Sequence, residues 1–323
     1  MATLNPPQLL FITSSRIGDA VLSSGVLAML LTQDPTAQVT IACGPLAAPL
    51  FADLPQLAHL HLIQRRPRLG HWWDLWRAMR GQAWSTIVDL RGSLLAWVLR
   101  ADRRLVCRAQ KRREHRVAEL ARQLGLPGQP APCLWLSPER QDRARRLLGD
   151  GPKILAVGPT ANWGAKEWPI ERFLAAIKAL TAEDGILPGA RVAVFGAKSE
   201  RPRAQMLLDQ LPASLDFIGN PDLLDCFALL SQSSFYLGND SGLMHMAAAA
   251  GIPTLGLFGP SPEWRYGPYG AATAVVRTPQ SYEEMVVNNP DFDHRREESL
   301  MTGLSVEAVV KAAHQLWLRQ SQP

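Results

Sequence analysis

Short unbroken apolar runs alternate along the chain with longer stretches in which apolar residues recur every third or fourth position. Leu9 to Thr13, Val39 to Ala42, Thr86 to Leu90, Ile154 to Gly158, Arg191 to Phe195, Phe217 to Ile218, Phe235 to Leu237 and Thr254 to Phe258 read as short buried strands. Between them Ala20 to Leu31, Arg172 to Thr181, Ala204 to Leu211 and Cys226 to Leu230 carry the helical period. Strands alternating with helices mean parallel sheets wrapped by helices, an α/β protein. The charged stretch Ser137 to Lys153, ending in Gly149-Asp150-Gly151-Pro152, reads as a linker. The pattern therefore predicts two doubly wound domains, 1–150 and 151–323, facing a central cleft.

Composition narrows the class. A chain of 323 residues that is 47% hydrophobic can build two cores. Cys43, Cys107, Cys133 and Cys226 form no C-x-x-C pair and have no His cluster beside them, which argues against a disulfide framework or a zinc site and for a reducing cytoplasm. The N-terminus has no basic n-region and only a short apolar run, as expected of a first strand and not of a signal peptide. Nothing approaches the ~18 apolar residues of a membrane span.

Charge is uneven. Residues 1–150 hold 20 Lys and Arg against 11 Asp and Glu, and residues 151–323 hold 14 against 18, so +9 and −4 sum to the +5 of the chain. Arg100 to Arg116 contributes eight of the basic residues. Such a run fits a solvated face, a nucleic acid, an anionic lipid surface or a phosphorylated or carboxylated acceptor. Leu69, Trp72, Trp73, Trp76 and Met79 form an apolar stripe at helical spacing, read as core or as a membrane-docking edge.

Candidate chemistry sits at strand ends. In LGNDSGLMHMAAAAGIPTLGLFGP, residues 237–260, an apolar run stops and an Ala-rich helix begins at once. Asp240 or Ser241 can cap that helix, and Gly242 lets a ligand approach its unpaired N–H groups, so the seam is either an ordinary cap or an anion site. No G-x-G-x-x-G occurs, and the glycines of GPTANWGAK, residues 158–166, are misspaced for a P-loop, which disfavours ATPase chemistry. Thr160 and Lys166 still follow a strand, and Lys166 is either a solvated surface lysine or a point charge for a diphosphate. In FITSSRIGDAVLSSG, residues 11–25, Gly18 permits a tight turn and Asp19 stands before a helix as its N-cap or as a general base.

Taken together, SSRIGDAVLSSGVLAML, VDLRGS, HRVAEL, GPTANWGAKEWPIERF, FGAKSE and the Gly238-Asn239-Asp240-Ser241-Gly242 seam with His245 resemble glycosyltransferase family 9, the ADP-heptose:lipopolysaccharide heptosyltransferases. The resemblance spans almost the whole chain in order. It implies a GT-B architecture of two Rossmann-like domains, with a C-terminal helix, here about 306–318, packing back on the first domain. Asp19 would deprotonate the acceptor hydroxyl and Lys166, helped by Thr160, would hold the donor diphosphate. Ser14, Ser15 and Gly18 would line the substrate site and Glu200 would contact the ribose. Asp240, Ser241 and Gly242 would form the sugar-diphosphate loop, where His245 either bonds phosphate or packs inside its helix. The reaction implied is inverting transfer of a heptose or related sugar from an ADP-sugar, with no metal and no cofactor. The acceptor would be an anionic, lipid-linked inner-core saccharide at the inner membrane face, to which the basic domain would be drawn; nucleic acid is not an expected partner.

Two departures from the family stand out. Thr160-Ala161-Asn162 supplies a single hydroxyl where a small pair such as Gly-Thr is usual, and the segment after Gly270 lacks the cysteines often found there. Asp291-Phe292-Asp293 superficially matches a metal-binding D-x-D, but no strand precedes it and it reads as an exposed acidic loop. Rival readings are a sugar-nucleotide epimerase on the same architecture, a noncatalytic nucleotide- or lipid-binding paralogue, and a nucleic-acid binder built on the Arg-rich run.

Overall fold

The computed structural model describes residues 6–321 except 65, 109 and 111, so Ala109 and Lys111 of the basic run lie outside the described residues. The chain divides into two compact units, 1–137 and 138–323.

The first unit runs β1 (Gln8–Ile12), α1 (Ile17–Gln33), β2 (Gln38–Cys43), β3 (Leu57–Leu62), α2 (Gly70–Met79), β4 (Trp84–Asp89), α3 (Leu95–Val98), β5 (Ala101–Val106) and α4 (Arg116–Gln123). Its five strands are parallel in the order β3-β2-β1-β4-β5. Central β1 and β2 are buried on both faces, which is why they read as unbroken apolar runs. The edge strands were hidden from that pattern: β3, LAHLHL, is largely exposed, and β5, ADRRLV, is mostly exposed or half-buried. Two arginines of the basic run are structural. Arg104 donates to the carbonyls of Ala96, Leu99 and Ala101, closing the end of α3, and Arg116 pairs with buried Glu119 at 2.6 Å. The tryptophan stripe is split: Leu75 and Met79 enter the core with Trp72 and Trp76 packed against it, while Trp73 is exposed.

The second unit runs α5 (Pro138–Leu148), β6 (Ile154–Gly158), α6 (Ile170–Thr181), β7 (Arg191–Gly196), α7 (Arg201–Gln210), β8 (Leu215–Ile218), α8 (Leu223–Ser231), β9 (Phe235–Asn239), α9 (Gly242–Ala249), β10 (Thr254–Phe258), α10 (Glu263–Tyr266), β11 (Thr273–Arg277) and α11 (Val306–Ser321). Its six parallel strands take the order β11-β10-β9-β6-β7-β8. Renumbered from β6 this is 3-2-1-4-5-6, the doubly wound dinucleotide-fold order, and the first unit is the same without a sixth strand.

Two boundaries differ from expectation. The stretch expected as linker begins with α5, in which Ala144 and Leu148 are buried and Arg140 shares their face at helical spacing. Arg140 binds Asp222 and Asp225 at 2.8 and 2.7 Å and Arg143 binds Asp225 at 2.9 Å, so α5 belongs to the second unit through α8. The C-terminal helix, expected against the first domain, buries Val309, Ala313 and Leu316 in the second unit's own core beside α6 and β11. The four cysteines are free thiols.

Candidate functional site

In a doubly wound sheet, ligands gather beyond the carboxyl ends of the strands where the winding reverses. In the second unit that point lies between β6 and β9, paired from Leu155 with Phe235 to Gly158 with Gly238. Both glycines are forced. A Cβ on Gly158 or Gly238 would lie 2.1 or 2.4 Å from the Tyr236 hydroxyl, which lies along this face of the sheet. That hydroxyl is fully buried; burial pushes its pKa up, with the neighbouring Ser241 hydroxyl pulling the other way. The two hydroxyls lie near one another without closing a hydrogen bond of good geometry, and both are buried.

Register brings the two loops together. Lys166 Nζ donates to Asp240 Oδ2 at 2.6 Å, with both side chains mostly buried. Asn239 fixes the geometry: its Nδ2 donates to the Pro159 carbonyl at 2.8 Å and its Oδ1 accepts from the Trp168 N–H at 3.1 Å. One buried amide therefore staples both ends of the loop that carries Lys166 to the end of β9. Trp168 anchors the far end, packed edge-on against Phe173 and donating its indole N–H to the Leu304 carbonyl at 2.9 Å.

Further groups brace the loop. Glu167 accepts from the Ala161 N–H at 2.7 Å and pairs with Arg203 at 2.9 Å. Burial raises its pKa, the Ala161 N–H and Arg203 oppose this, and Glu200 and Glu297 add to the rise. A segment from Asn289 to Leu300 lies along the loop. The Trp163 indole donates to the Arg296 carbonyl at 2.6 Å, the Gly164 N–H to Glu297 at 3.1 Å, the Ser299 hydroxyl to the Glu167 carbonyl at 2.5 Å and the Leu300 N–H to the Ala165 carbonyl at 3.0 Å. A Cβ on Gly164 would come within 2.3 Å of the Glu297 carbonyl oxygen, so that strap requires glycine. Asp291 and Asp293, within the segment, are exposed, and no group of three or more metal-ligating side chains occurs among the described residues.

On the other side of β6, Thr160 donates to Glu200 Oε2 at 2.8 Å, and that oxygen also accepts the Ala197 N–H at 2.9 Å. Thr160, Lys166, Glu200, Asp240, Ser241 and Gly242 thus collect at the carboxyl ends of β6, β7 and β9. His245 is buried one turn inside α9. Ser241 is the N-cap of α9 by backbone geometry, but its side chain makes no capping bond, and the Asp240 carboxylate serves Lys166 instead of the helix.

In the first unit the corresponding ends are those of β1 and β4. Ser14 Oγ accepts the Arg16 N–H at 3.1 Å and Ser15 is exposed. Helix α1 begins at Ile17, earlier than expected. Gly18 therefore lies within the helix and makes no tight turn, and Asp19 is in the first helical turn and is not the N-cap, a position held by Arg16. A carboxylate there is favoured by the helix dipole without being used as a cap. Asp19 is half-buried and makes no side-chain hydrogen bond or ion pair among the described residues. At the end of β4, Asp89 is fully buried and accepts from the Arg91 N–H, the Ser93 N–H and the Ser93 hydroxyl at 2.9, 2.8 and 2.5 Å. Burial raises its pKa and those hydrogen bonds oppose the rise. It closes the turn of VDLRGS through these three hydrogen bonds.

Two doubly wound sheets, with polar and charged side chains gathered where the winding reverses, define the architectural class of Rossmann-like α/β proteins. Residues 108–292 match the model of glycosyltransferase family 9 (heptosyltransferase), and the chain belongs to that family; it is a glycosyltransferase. It is similar to lipopolysaccharide heptosyltransferase 2 of Salmonella typhimurium, 24% identical over 96% of this chain and 98% of the relative. Among solved structures, a family 9 glycosyl transferase from Veillonella parvula superposes with a TM-score of 0.80 at 20% identity, over 98% of each chain. The E. coli ADP-heptose lps heptosyltransferase II does so with 0.74 at 18% identity, over 98% of this chain and 100% of that one. The fold is that of the GT-B heptosyltransferases. Asn239 belongs to the seam singled out from the sequence but had no role assigned there; its bonds to Pro159 and Trp168 make it the residue that positions the loop.

Proposed function

We propose that the protein transfers a heptose from ADP-heptose to a hydroxyl of the lipopolysaccharide inner core, with inversion and without a metal ion or other cofactor. The similarity to proteins named for that donor and that polysaccharide supports the choice of substrates. The single observation that carries the chemistry is the pairing of Lys166 with Asp240 at the N-terminus of α9, beside the unengaged, buried Ser241 hydroxyl.

That arrangement suits a leaving diphosphate. The helix terminus offers N–H groups at Ser241 and Gly242, and the Lys166 ammonium supplies a full positive charge. Asp240 alone would repel the diphosphate; paired to Lys166, it leaves the pocket without net charge and keeps the lysine in place. When the donor binds, Lys166 turns to the phosphate oxygens and Asp240 is free to orient sugar hydroxyls. Thr160 assists at the diphosphate, Glu200 contacts the ribose, and Ser14, Ser15 and Gly18 line the acceptor end. In the transfer the acceptor oxygen forms a bond to the anomeric carbon, its proton passes to Asp19, and the bond from that carbon to the phosphate oxygen breaks. The electron pair leaves with ADP, where Lys166 and the N–H groups stabilise the charge.

The test is to incubate the purified protein with ADP-heptose and a deacylated inner-core acceptor in EDTA. The acceptor should gain the mass of one heptose, ADP release should require acceptor, and NMR should show an anomeric configuration opposite to that of the donor. Donor turnover without acceptor would point to an epimerase or hydrolase, and loss of turnover in EDTA would remove metal independence.

A further inference from the structure

The helices covering one face of the first sheet leave an apolar row on their outer side. Leu75 and Met79 of α2 and Leu95 and Ala96 of α3 share one core with Leu10, Ile12 and Ile87, and Leu10 and Ile87 are register partners on one face of β1 and β4. Both helices therefore present their opposite sides in the same direction. Arg91, just before α3, stacks over Trp72 of α2 at 5.1 Å and ties the two together. Leu69, Trp73, Leu94, Trp97 and Val98 are between 57 and 81% exposed. One such residue is ordinary on a soluble protein, whereas five on two neighbouring helices and their lead-ins are not.

The surroundings identify what covers them. Trp73, Arg77 and Arg80 recur at helical spacing on one side of α2, with Trp73 stacked on Trp76 at 4.7 Å and Arg80 over Trp76 at 4.9 Å. Arg66, Arg68, Arg91, Arg100 and Arg103 are also exposed. Against these seven arginines, residues 66–103 hold three acids: Asp74, paired to Arg66 at 2.7 Å, buried Asp89, and Asp102. Arg68 and Leu69, neither a glycine, adopt left-handed backbone with φ of 53° and 61°. That strain sits at the residue that carries an apolar side chain into solvent, where a ligand contact would justify it. Tryptophans with a guanidinium border match the chemistry of a phospholipid headgroup region, apolar below and anionic at the surface.

We propose that this face docks the protein on an anionic phospholipid surface, with Leu69, Trp73, Leu94, Trp97 and Val98 entering the headgroup boundary and the arginines pairing with phosphates. Its purpose rests on the reading above of a lipid-linked acceptor; its chemistry does not.

Co-sedimentation of the full chain with vesicles tests it. Vesicles of phosphatidylcholine with about one third phosphatidylglycerol should bind at least ~10-fold more protein than phosphatidylcholine alone, and the difference should shrink in high salt. Trp73→Ala with Trp97→Ala should cut the partition coefficient ~10-fold, and Arg77→Glu with Arg100→Glu should do the same, each with an unchanged unfolding midpoint. Both pairs should keep wild-type turnover on the deacylated acceptor while the KM for the lipid-linked acceptor rises. Equal binding to both vesicle types, undiminished binding by both variants, or a dimer in sedimentation equilibrium that the tryptophan variant dissolves would overturn the proposal. The vesicle arm needs neither donor nor acceptor, so its failure is distinct from failure of the transferase reading.

Discussion

The two units share one winding but use its reversal point differently. In the second, the ends of β6 and β9 hold a closed electrostatic system in which Lys166 faces Asp240 and Thr160 faces Glu200. In the first, the ends of β1 and β4 hold two acids of opposite character: Asp89, spent on its own turn, and Asp19, with no partner among the described residues. A common scaffold thus provides a paired ammonium and carboxylate at one reversal point and an uncommitted carboxylate at the other. The first is suited to holding a charged leaving group and the second to accepting a proton.

That contrast can be broken from either side, and the largest effect is expected at Asp19. Asp19→Asn removes the proposed base and keeps the shape, so kcat should fall about 10²–10⁴-fold with donor KM nearly unchanged in steady-state assays. Lys166→Ala removes the ammonium proposed to hold the donor diphosphate and leaves Asp240 unpaired. It should cost about 10²–10³-fold in kcat/KM, with donor KM and kcat both affected. An Asn239→Ala chain leaves the buried Trp168 N–H and the Pro159 carbonyl without their partner, which should lower unfolding stability by roughly 3 kcal/mol in a urea titration and raise donor KM. Ser241→Ala deletes a buried hydroxyl that has no good bond to lose. Its stability should stay within about 1 kcal/mol of wild type while donor affinity falls several-fold.

The smallest effect lies away from the site. At Asp222 burial acts to raise the pKa, but the Asp225 N–H and Arg140 outweigh it and the net shift is downward from 3.8. The stability this contributes is present above pH 3.8 and is lost as pH falls through the lowered folded value. Hydrogen exchange should therefore show α5 loosening from α8 in acid before the sheet does.

How much of this was legible depended on burial. Runs such as Leu9 to Ile12 and Ile154 to Gly158 are wet on neither face, so apolar continuity marked them. β3 and β5 stand at sheet edges with exposed or half-exposed residues, and their polar and charged positions break the apolar continuity that marks the buried strands. Helix α5 was masked by six charged residues on a short segment, since Ala144, Leu147 and Leu148 are its only apolar positions apart from Pro138, too few to establish a helical period. Among site residues, those on strand-end loops were visible because small and polar residues interrupted apolar runs. The contacts were not: that Asp240 answers Lys166 and not its own helix, or that Asn239 staples Pro159 and Trp168, depends on which strands are neighbours. Strand order is set by tertiary packing, and no local period encodes it.

The most direct measurement of the central claim is calorimetric titration of ADP into the wild type, Asp19→Asn and Lys166→Ala proteins. Division of labour predicts wild-type affinity for Asp19→Asn and a loss of about tenfold or more for Lys166→Ala. Undiminished ADP binding by the Lys166 variant, or equal losses in both, would contradict it.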